Sequence, residues 1–324
     1  MNGTLMLLAG NSNPVLFNSI VASMKEKERS FEVVDSEVGR FSDGEPKIVI
    51  NSNIRGNEVF IVQSTCPPVA QNFVELCLLI DACRRASASH ITAVIPYYGF
   101  GRQDRKKNSR EPISAAWAAQ MIKRSGAHRI ISLDLHSSQI QGFFNGPFDN
   151  LYSRPVFIEF ARQNGFDKED IVVVAPDSGA GDRARGFATR LNNAPVAIID
   201  KRRPKENETE VMNIIGRDNV SGREVIIYDD MSDTSGTLCK SVMALAAAGA
   251  KGIRAFLTHP VLSGDAVQKI SATKEIKELF FTDTIPLSEA AKACGKIKVL
   301  SIASLLGEAI WRGYQGESVS DLFK

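Results

Sequence analysis

The 324-residue chain has no uncharged apolar run of the roughly 18 residues that a membrane span requires. Its amino terminus lacks the basic region, apolar core and small-residue cleavage site of a signal peptide. A cytoplasmic chain with no membrane partner is therefore expected. Charge of one sign is not in excess either: 39 Lys and Arg face 37 Asp and Glu, for a net charge of +2. Without a uniform basic surface, nucleic acid is not an expected partner, and any polyanion must be met at specific sites. Paired cysteine is missing. Cys66, Cys77, Cys83, Cys239 and Cys294 are odd in number, scattered and free of CxxC spacing, which argues against a disulfide framework and a structural zinc site. His90, His128, His136 and His259 contain no pair spaced for one helix face, which argues against a polyhistidine metal centre. Apolar residues, by contrast, make up 44% of the chain, enough for real cores and too many for a disordered protein.

What the chain has is strand and helix in alternation from end to end. Short β-rich apolar runs fall at 4–9, 31–34, 58–62, 91–95, 130–135, 171–175, 196–199, 224–228, 253–258, 279–282 and 297–301. Apolar spacing with the helical period marks 70–87, 113–125, 156–163, 183–191, 237–248, 264–273, 287–295 and 302–314. That order predicts an α/β fold of mostly parallel sheets flanked by helices, not a β-sandwich or a helical bundle. At roughly 150 residues per domain, two domains are expected. The two halves share an outline, a strand ending in polar or acidic residues and then a Gly- or Ser-bearing turn, and turn residues Asn150, Ser153, Arg154 and Pro155 cluster between them. The expected domains are 1–150 and 151–304, with the tail 305–324 packing near the first. The charged segment 201–222 has no clear period and reads as an irregular loop, of the kind that serves as a functional lid.

The sharpest local signal is Tyr228-Asp229-Asp230-Met231-Ser232-Asp233-Thr234-Ser235-Gly236-Thr237. A buried strand delivers two adjacent carboxylates at its carboxyl end, where open α/β sheets bind ligands. A small-residue turn then opens a helix, offering backbone N–H groups, hydroxyls and the positive end of the helix dipole to an anion such as a phosphate monoester. A single Asp or Ser there would be an ordinary helix cap. Three acids with Thr-Ser-Gly-Thr in nine residues point further.

Two other segments carry chemistry. In Arg40-Phe41-Ser42-Asp43-Gly44-Glu45, a glycine turn sets an aromatic ring beside two acids, which suits stacking on a base and hydrogen bonding to an amine or ribose. Alone it would pass as a polar turn. From Arg102 to Arg110, five cations in nine residues, with Gln103 and Asp104 among them, suit a polyphosphate because guanidinium forks bind phosphate oxygens bidentately. A solvated basic loop is the plainer alternative. His136, at the end of a predicted strand, would by itself be taken for a hydrogen-bonded structural residue.

The loop Asp229 to Thr237 resembles the phosphoribosyl-diphosphate binding loop of type I phosphoribosyltransferase folds. Over essentially its whole length the chain resembles the phosphate-activated class of the ribose-phosphate diphosphokinase (phosphoribosyl-diphosphate synthetase) family. The resemblance implies two tandem type I phosphoribosyltransferase-like domains. It also implies transfer of the β,γ-diphosphoryl group of ATP to the 1-hydroxyl of ribose 5-phosphate, giving AMP and 5-phosphoribosyl 1-diphosphate for nucleotide biosynthesis. By position, Phe41, Asp43 and Glu45 would hold the adenosine, and Arg102, Gln103 and Arg110 the rest of ATP. His136 and Asp177 would bind magnesium, and Lys201 and Arg203 would stabilise the transferring group from a closing loop. Asp229 and Asp230 would hold the ribose hydroxyls, and Asp233, Thr234, Ser235, Gly236 and Thr237 the 5-phosphate. The family has two consecutive glycines shortly after the acid matching Asp177; here Ala180 takes the second place. Arg55, Ser138, Gln141, Asp149, Asn150, Ser318 and Ser320 match positions of a regulatory site for the activator phosphate or inhibitory ADP, and a hexamer built from dimers is implied. Rival readings are a phosphoribosyltransferase, which has no use for the Phe41 segment and the basic loop, and a non-catalytic subunit of the synthetase, against which Lys201, Arg203, His136 and Asp177 argue.

Overall fold

Apolar Leu5–Ala9 forms β1, a strand of a six-stranded sheet. The structure is a computed structural model that describes residues 3–168, 170–202 and 211–323, with backbone only at 201, 202, 211 and 212. The chain divides into two compact units: 1–152 with 284–286 and 301–324, and 153–283 with 287–300.

In the first unit, β1 is followed by α1 (Pro14–Glu26), β2 (Glu32–Val33), β3 (Ser36–Arg40), β4 (Pro46–Ile50), β5 (Glu58–Val62), α2 (Val69–Arg85), β6 (His90–Ile95), α3 (Ser114–Ser125), β7 (Arg129–Leu133) and β8 (Phe148–Leu151). The sheet runs β2-β1-β5-β6-β7-β8 with every neighbouring pair parallel. Such a sheet must be covered on both faces, and its central strands are accordingly continuous apolar runs. Leu76, Leu79, Ile80 and Ile122 of α2 and α3 bury one face. β3 and β4 stand apart as an antiparallel hairpin.

The second unit contains α4 (Arg154–Gln163), β9 (Ile171–Ala175), α5 (Gly181–Arg190), β10 (Val196–Arg202), β11 (Val211–Ile215), β12 (Glu224–Ser232), α6 (Gly236–Ala247), β13 (Gly252–Pro260), α7 (Ala266–Ala272), β14 (Ile276–Thr282), α8 (Glu289–Ala293) and β15 (Ile297–Leu300). Its sheet order is β11-β10-β9-β12-β13-β14-β15, parallel except for β11. α9 (Ala303–Gln315) then belongs to the first unit, where Ile302, Leu306 and Ile310 share a core with Leu16, Ile20 and Met24 of α1.

The α/β architecture agrees with the sequence expectation, and four differences have physical reasons. α1 was not expected, although Leu16, Phe17, Ile20 and Met24 bury one face and the Asn13 side chain caps it by accepting from Leu16 N at 3.2 Å. The hairpin β3–β4 was not expected either: its two five-residue strands bury no residue fully. The segment 201–222 is not wholly irregular: β10 runs through Lys201 to Arg202, pairs antiparallel with β11, and a 3-10 turn follows at Arg217–Asn219. Cross-strand pairing with the apolar β11 carries β10 on through the charged Lys201 and Arg202. Finally, β7 stops at Leu133, because Asp134 adopts φ 39°, so His136 sits in the turn beyond the strand rather than at its end.

Candidate active site

In the second unit, β9, β10 and β12 are parallel neighbours, so their carboxyl ends reach one sheet edge. Asp177 follows β9, Lys201 lies on β10, and Asp229 and Asp230 lie near the end of β12. The run 224–228 thus continues to Ser232, carrying both carboxylates within the strand. Exposed Asp177 accepts from Ala180 N at 3.0 Å and caps the 3-10 turn Ser178–Ala180 ahead of α5. Ala180, which replaces the family's glycine, is buried in that turn. The side chain of Lys201 and the whole of Arg203 lie outside the described residues.

Arg183 of α5 was not singled out in the sequence, yet its Nη1 lies 3.2 Å from Asp229 Oδ1 and 3.0 Å from Asp230 Oδ1. Burial pushes the Asp229 carboxyl well above its usual range, the neighbouring Asp230 charge pushes the same way, and Arg183 opposes both. After Ser232 the chain turns into α6. Ser235 occupies the left-handed region, φ 56°, rare for a residue with a side chain, and its Oγ lies 2.9 Å from Ser232 Oγ. The backbone N–H of Ser263 donates to Asp233 O at 3.1 Å, and Lys269 Nζ reaches Thr234 O at 3.5 Å. Asp233, Thr234, Ser235, Gly236 and Thr237 lead into the amino end of α6, where the first-turn N–H groups and the dipole favour an anion.

In the first unit, Phe41, Asp43 and Glu45 crown the β3–β4 hairpin. Phe41 is 53% exposed, so its ring face is open to a planar group. Gly44 has φ 92°, which a side chain would resist, and the turn is closed by Gly44 N to Phe41 O at 2.9 Å and Phe41 N to Glu45 O at 2.8 Å. The basic loop follows β6. Exposed Arg102 and Gln103 begin it, Ser114 Oγ donates to Gln103 Oε1 at 2.5 Å, and Glu111 folds the loop back by accepting from Lys107 N and Asn108 N at 2.9 and 3.1 Å. Arg110, also exposed, takes φ 66°. His136 is exposed beyond β7.

Comparison with known proteins decides among the readings. The model of the N-terminal domain of ribose phosphate pyrophosphokinase matches residues 5–126, and that of the phosphoribosyl synthetase-associated domain matches 199–324. A ribose-phosphate pyrophosphokinase from Caldanaerobacter subterraneus subsp. tengcongensis is 50% identical over 323 residues, 99% of this chain and 98% of the relative. One from Bordetella pertussis is 52% identical over 287 residues, 88% and 91% of the two chains. The solved phosphoribosylpyrophosphate synthetase from Mycobacterium smegmatis superposes with a TM-score of 0.88 at 37% identity, covering 97% of this chain and 99% of that one. The chain belongs to the ribose-phosphate pyrophosphokinase family.

As in its family, the chain is a transferase that uses ATP to make a phosphoribosyl diphosphate, in agreement with the expectation from its motifs. For a pyrophosphokinase, the expected magnesium donors divide between the units, His136 in the first and Asp177 in the second. Among the described residues, no group of three or more His, Cys, Asp or Glu side chains could hold a metal by itself. An imidazole or a carboxylate by itself leaves most of a magnesium shell to phosphate oxygens and water. The expected regulatory residues all fall in the first unit. Gln141 Nε2 donates to Ser138 O at 3.0 Å, Asn150 Oδ1 accepts from Leu135 N at 3.1 Å, and Asp149 lies 3.5 Å from Arg129 Nε. Arg129 Nη1 reaches Gly313 O of α9 at 3.5 Å, and Arg312 Nη1 holds Ser318 O at 2.9 Å. Arg55 and Ser320 are exposed. No helix among the described residues is long and apolar enough to cross a membrane.

Proposed function

We propose that the residues divide the family's reaction as follows. Phe41 stacks on adenine while Asp43 and Glu45 accept from its amine or the ribose, and Arg102, Gln103 and Arg110 grip the triphosphate. The amino end of α6, from Asp233 to Thr237, takes the 5-phosphate of ribose 5-phosphate. Asp229 and Asp230 accept from the sugar hydroxyls and so aim the 1-hydroxyl at the β-phosphorus. The observation that carries this reading is the pair of carboxylates on β12 immediately before a left-handed turn into a helix, an arrangement suited to holding a sugar phosphate at both ends. Lys201 and Arg203 neutralise the charge that spreads over the transferring diphosphoryl group. Phosphoryl transfer asks mostly for position and charge, so such cations act chiefly in the transition state. Magnesium, held by His136 and Asp177 and by ATP, would withdraw charge from the phosphate oxygens. The proton of the 1-hydroxyl leaves late, to solvent or a phosphate oxygen, since the reading assigns no side chain as general base.

Inorganic phosphate as activator and ADP as inhibitor at Arg55, Ser138, Gln141, Asp149, Asn150, Ser318 and Ser320, a homo-oligomer built from dimers up to a hexamer, and a cytoplasmic location complete the proposal. The test is an incubation with ATP labelled in the β-phosphate, ribose 5-phosphate, magnesium and phosphate, run with the natural chain and with K201A and R203A. The natural chain should yield AMP and a labelled sugar diphosphate. Each variant should lose turnover by about a thousandfold or more with ATP affinity nearly unchanged. A variant with near-normal turnover would sink the assignment of these two cations.

A further inference from the structure

A carboxylate lies buried in the first unit away from every group assigned above. Glu75 of α2 is 1% exposed, and Gln63, at the end of β5, is 0% exposed. Burying an ionised carboxylate is expensive unless donors surround it. Here they do: Glu75 Oε1 accepts from Asn11 N and from Gln63 Nε2, each at 2.8 Å, and Oε2 accepts from Asn11 Nδ2 at 3.2 Å. Gln63 Oε1 in turn accepts from Ser12 N at 3.0 Å. Gly10 leaves room for this, because a Cβ there would lie 2.2 Å from Gln63 Oε1. The network therefore fixes the turn between β1 and α1 in one geometry.

That turn touches one more element. Asn11 Nδ2 also donates to Val38 O of β3 at 2.8 Å. Val38 lies three residues before Phe41, between the hairpin base and its tip. The base is closed separately, by Asp35 N to Ser52 Oγ at 2.8 Å and Asn51 N to Asp35 O at 2.9 Å. An apolar contact of Val38, Ile48 and Ile50 with the α2 core lets the hairpin slide, whereas a hydrogen bond to a main-chain carbonyl sets its height and tilt.

We propose that Glu75, acting through Asn11, is a positioning residue that sets the β3–β4 hairpin so that Phe41, Asp43 and Glu45 meet ATP; the inference rests on the ATP role given to that hairpin under Proposed function. A fully buried carboxylate is kept because it orients the Asn11 amide: with Oε2 as acceptor, the nitrogen and not the oxygen of that amide faces Val38 O.

The experiment uses the full chain and the variants N11D, N11D/E75Q and F41A. N11D removes the donor to Val38 and sets two carboxylates against each other, so it should lower thermal stability and raise the ATP KM. In N11D/E75Q the introduced amide donates to the introduced carboxylate, which rebuilds the buried pair but leaves Val38 O without its donor. Stability should then recover, while the ATP KM stays about five- to tenfold high, the worth of one hydrogen bond, with kcat and the ribose 5-phosphate KM within about twofold. Backbone amides of 36–50 should exchange faster in the double variant than in the natural chain, with those of β5 unchanged. Recovery of the ATP KM together with stability, or unaltered exchange at 36–50, overturns the inference, and the double variant decides alone if N11D does not fold. F41A should also raise the ATP KM. If F41A leaves it unchanged, the ATP role of the hairpin falls and takes this inference with it, whereas a raised KM in F41A alone overturns only the role of Glu75 and Asn11.

Discussion

Asp229 and Asp230 are neighbours in sequence whose side chains meet one guanidinium, that of Arg183. Burial beside a second carboxylate makes this an expensive arrangement. The folded state holds the Asp229 proton to a higher pH than the unfolded chain, whose carboxyl titrates near 3.8. The folded state therefore binds the extra proton, and stability falls as pH rises from 3.8 through the raised folded value. Functional sites commonly carry such a cost, and removing it stabilises the protein at the expense of activity. D229N should thus raise Tm at neutral pH by about 2–4 °C, equivalent to about 1 kcal/mol in a protein of this size, and raise the ribose 5-phosphate KM by about tenfold or more. Differential scanning fluorimetry across pH checks the sign. The gap between D229N and the natural chain should widen with rising pH, and a gap independent of pH would remove Asp229 ionisation as its cause.

At the scale of elements, the first unit's sheet has two unlike edges. The carboxyl ends of its strands lead into the polar loops, whereas its amino edge carries Glu58, His90 and Arg129 at the starts of β5, β6 and β7. There the His90 and His128 rings stack with centroids 4.7 Å apart, and His128 Nδ1 accepts from Ile91 N at 3.0 Å. Burial, then the neighbouring His128, Arg129 and Lys123, push the His90 imidazole from 6.5 down to about 4. The unfolded chain binds the proton more readily in that interval, so stability is complete above 6.5 and is lost as pH falls through 6.5 toward 4. H90Q, which cannot titrate, should flatten the Tm profile over that interval; an unchanged slope would assign the acid sensitivity to other groups.

At the scale of the whole molecule, the chain leaves its first unit at 152, touches it again at 284–286 and returns to it for good at 301. α9 packs on α1, and Ile302, Leu306 and Ile310 are fully buried there. Three such side chains at about 1.5–3 kcal/mol each approach the total stability of an ordinary domain. A chain ending at Leu300 should therefore express largely insoluble, or melt well below the natural chain, as soluble yield and calorimetry would show. What the residue string determined by itself is what neighbours along the chain decide. Periodicity announced the alternating strands and helices, and Tyr228 to Thr237 announced a turn from a strand into a helix, because strand, turn and helix start lie within a dozen consecutive residues. The periodic Leu16, Phe17, Ile20 and Met24 were legible as well, though not read. Only the tertiary structure brought Arg183 to Asp229 across 46 residues, Asn11 to Glu75 across 64, and β11 onto β10, because a hydrogen bond depends on distance in space and leaves no period in the sequence.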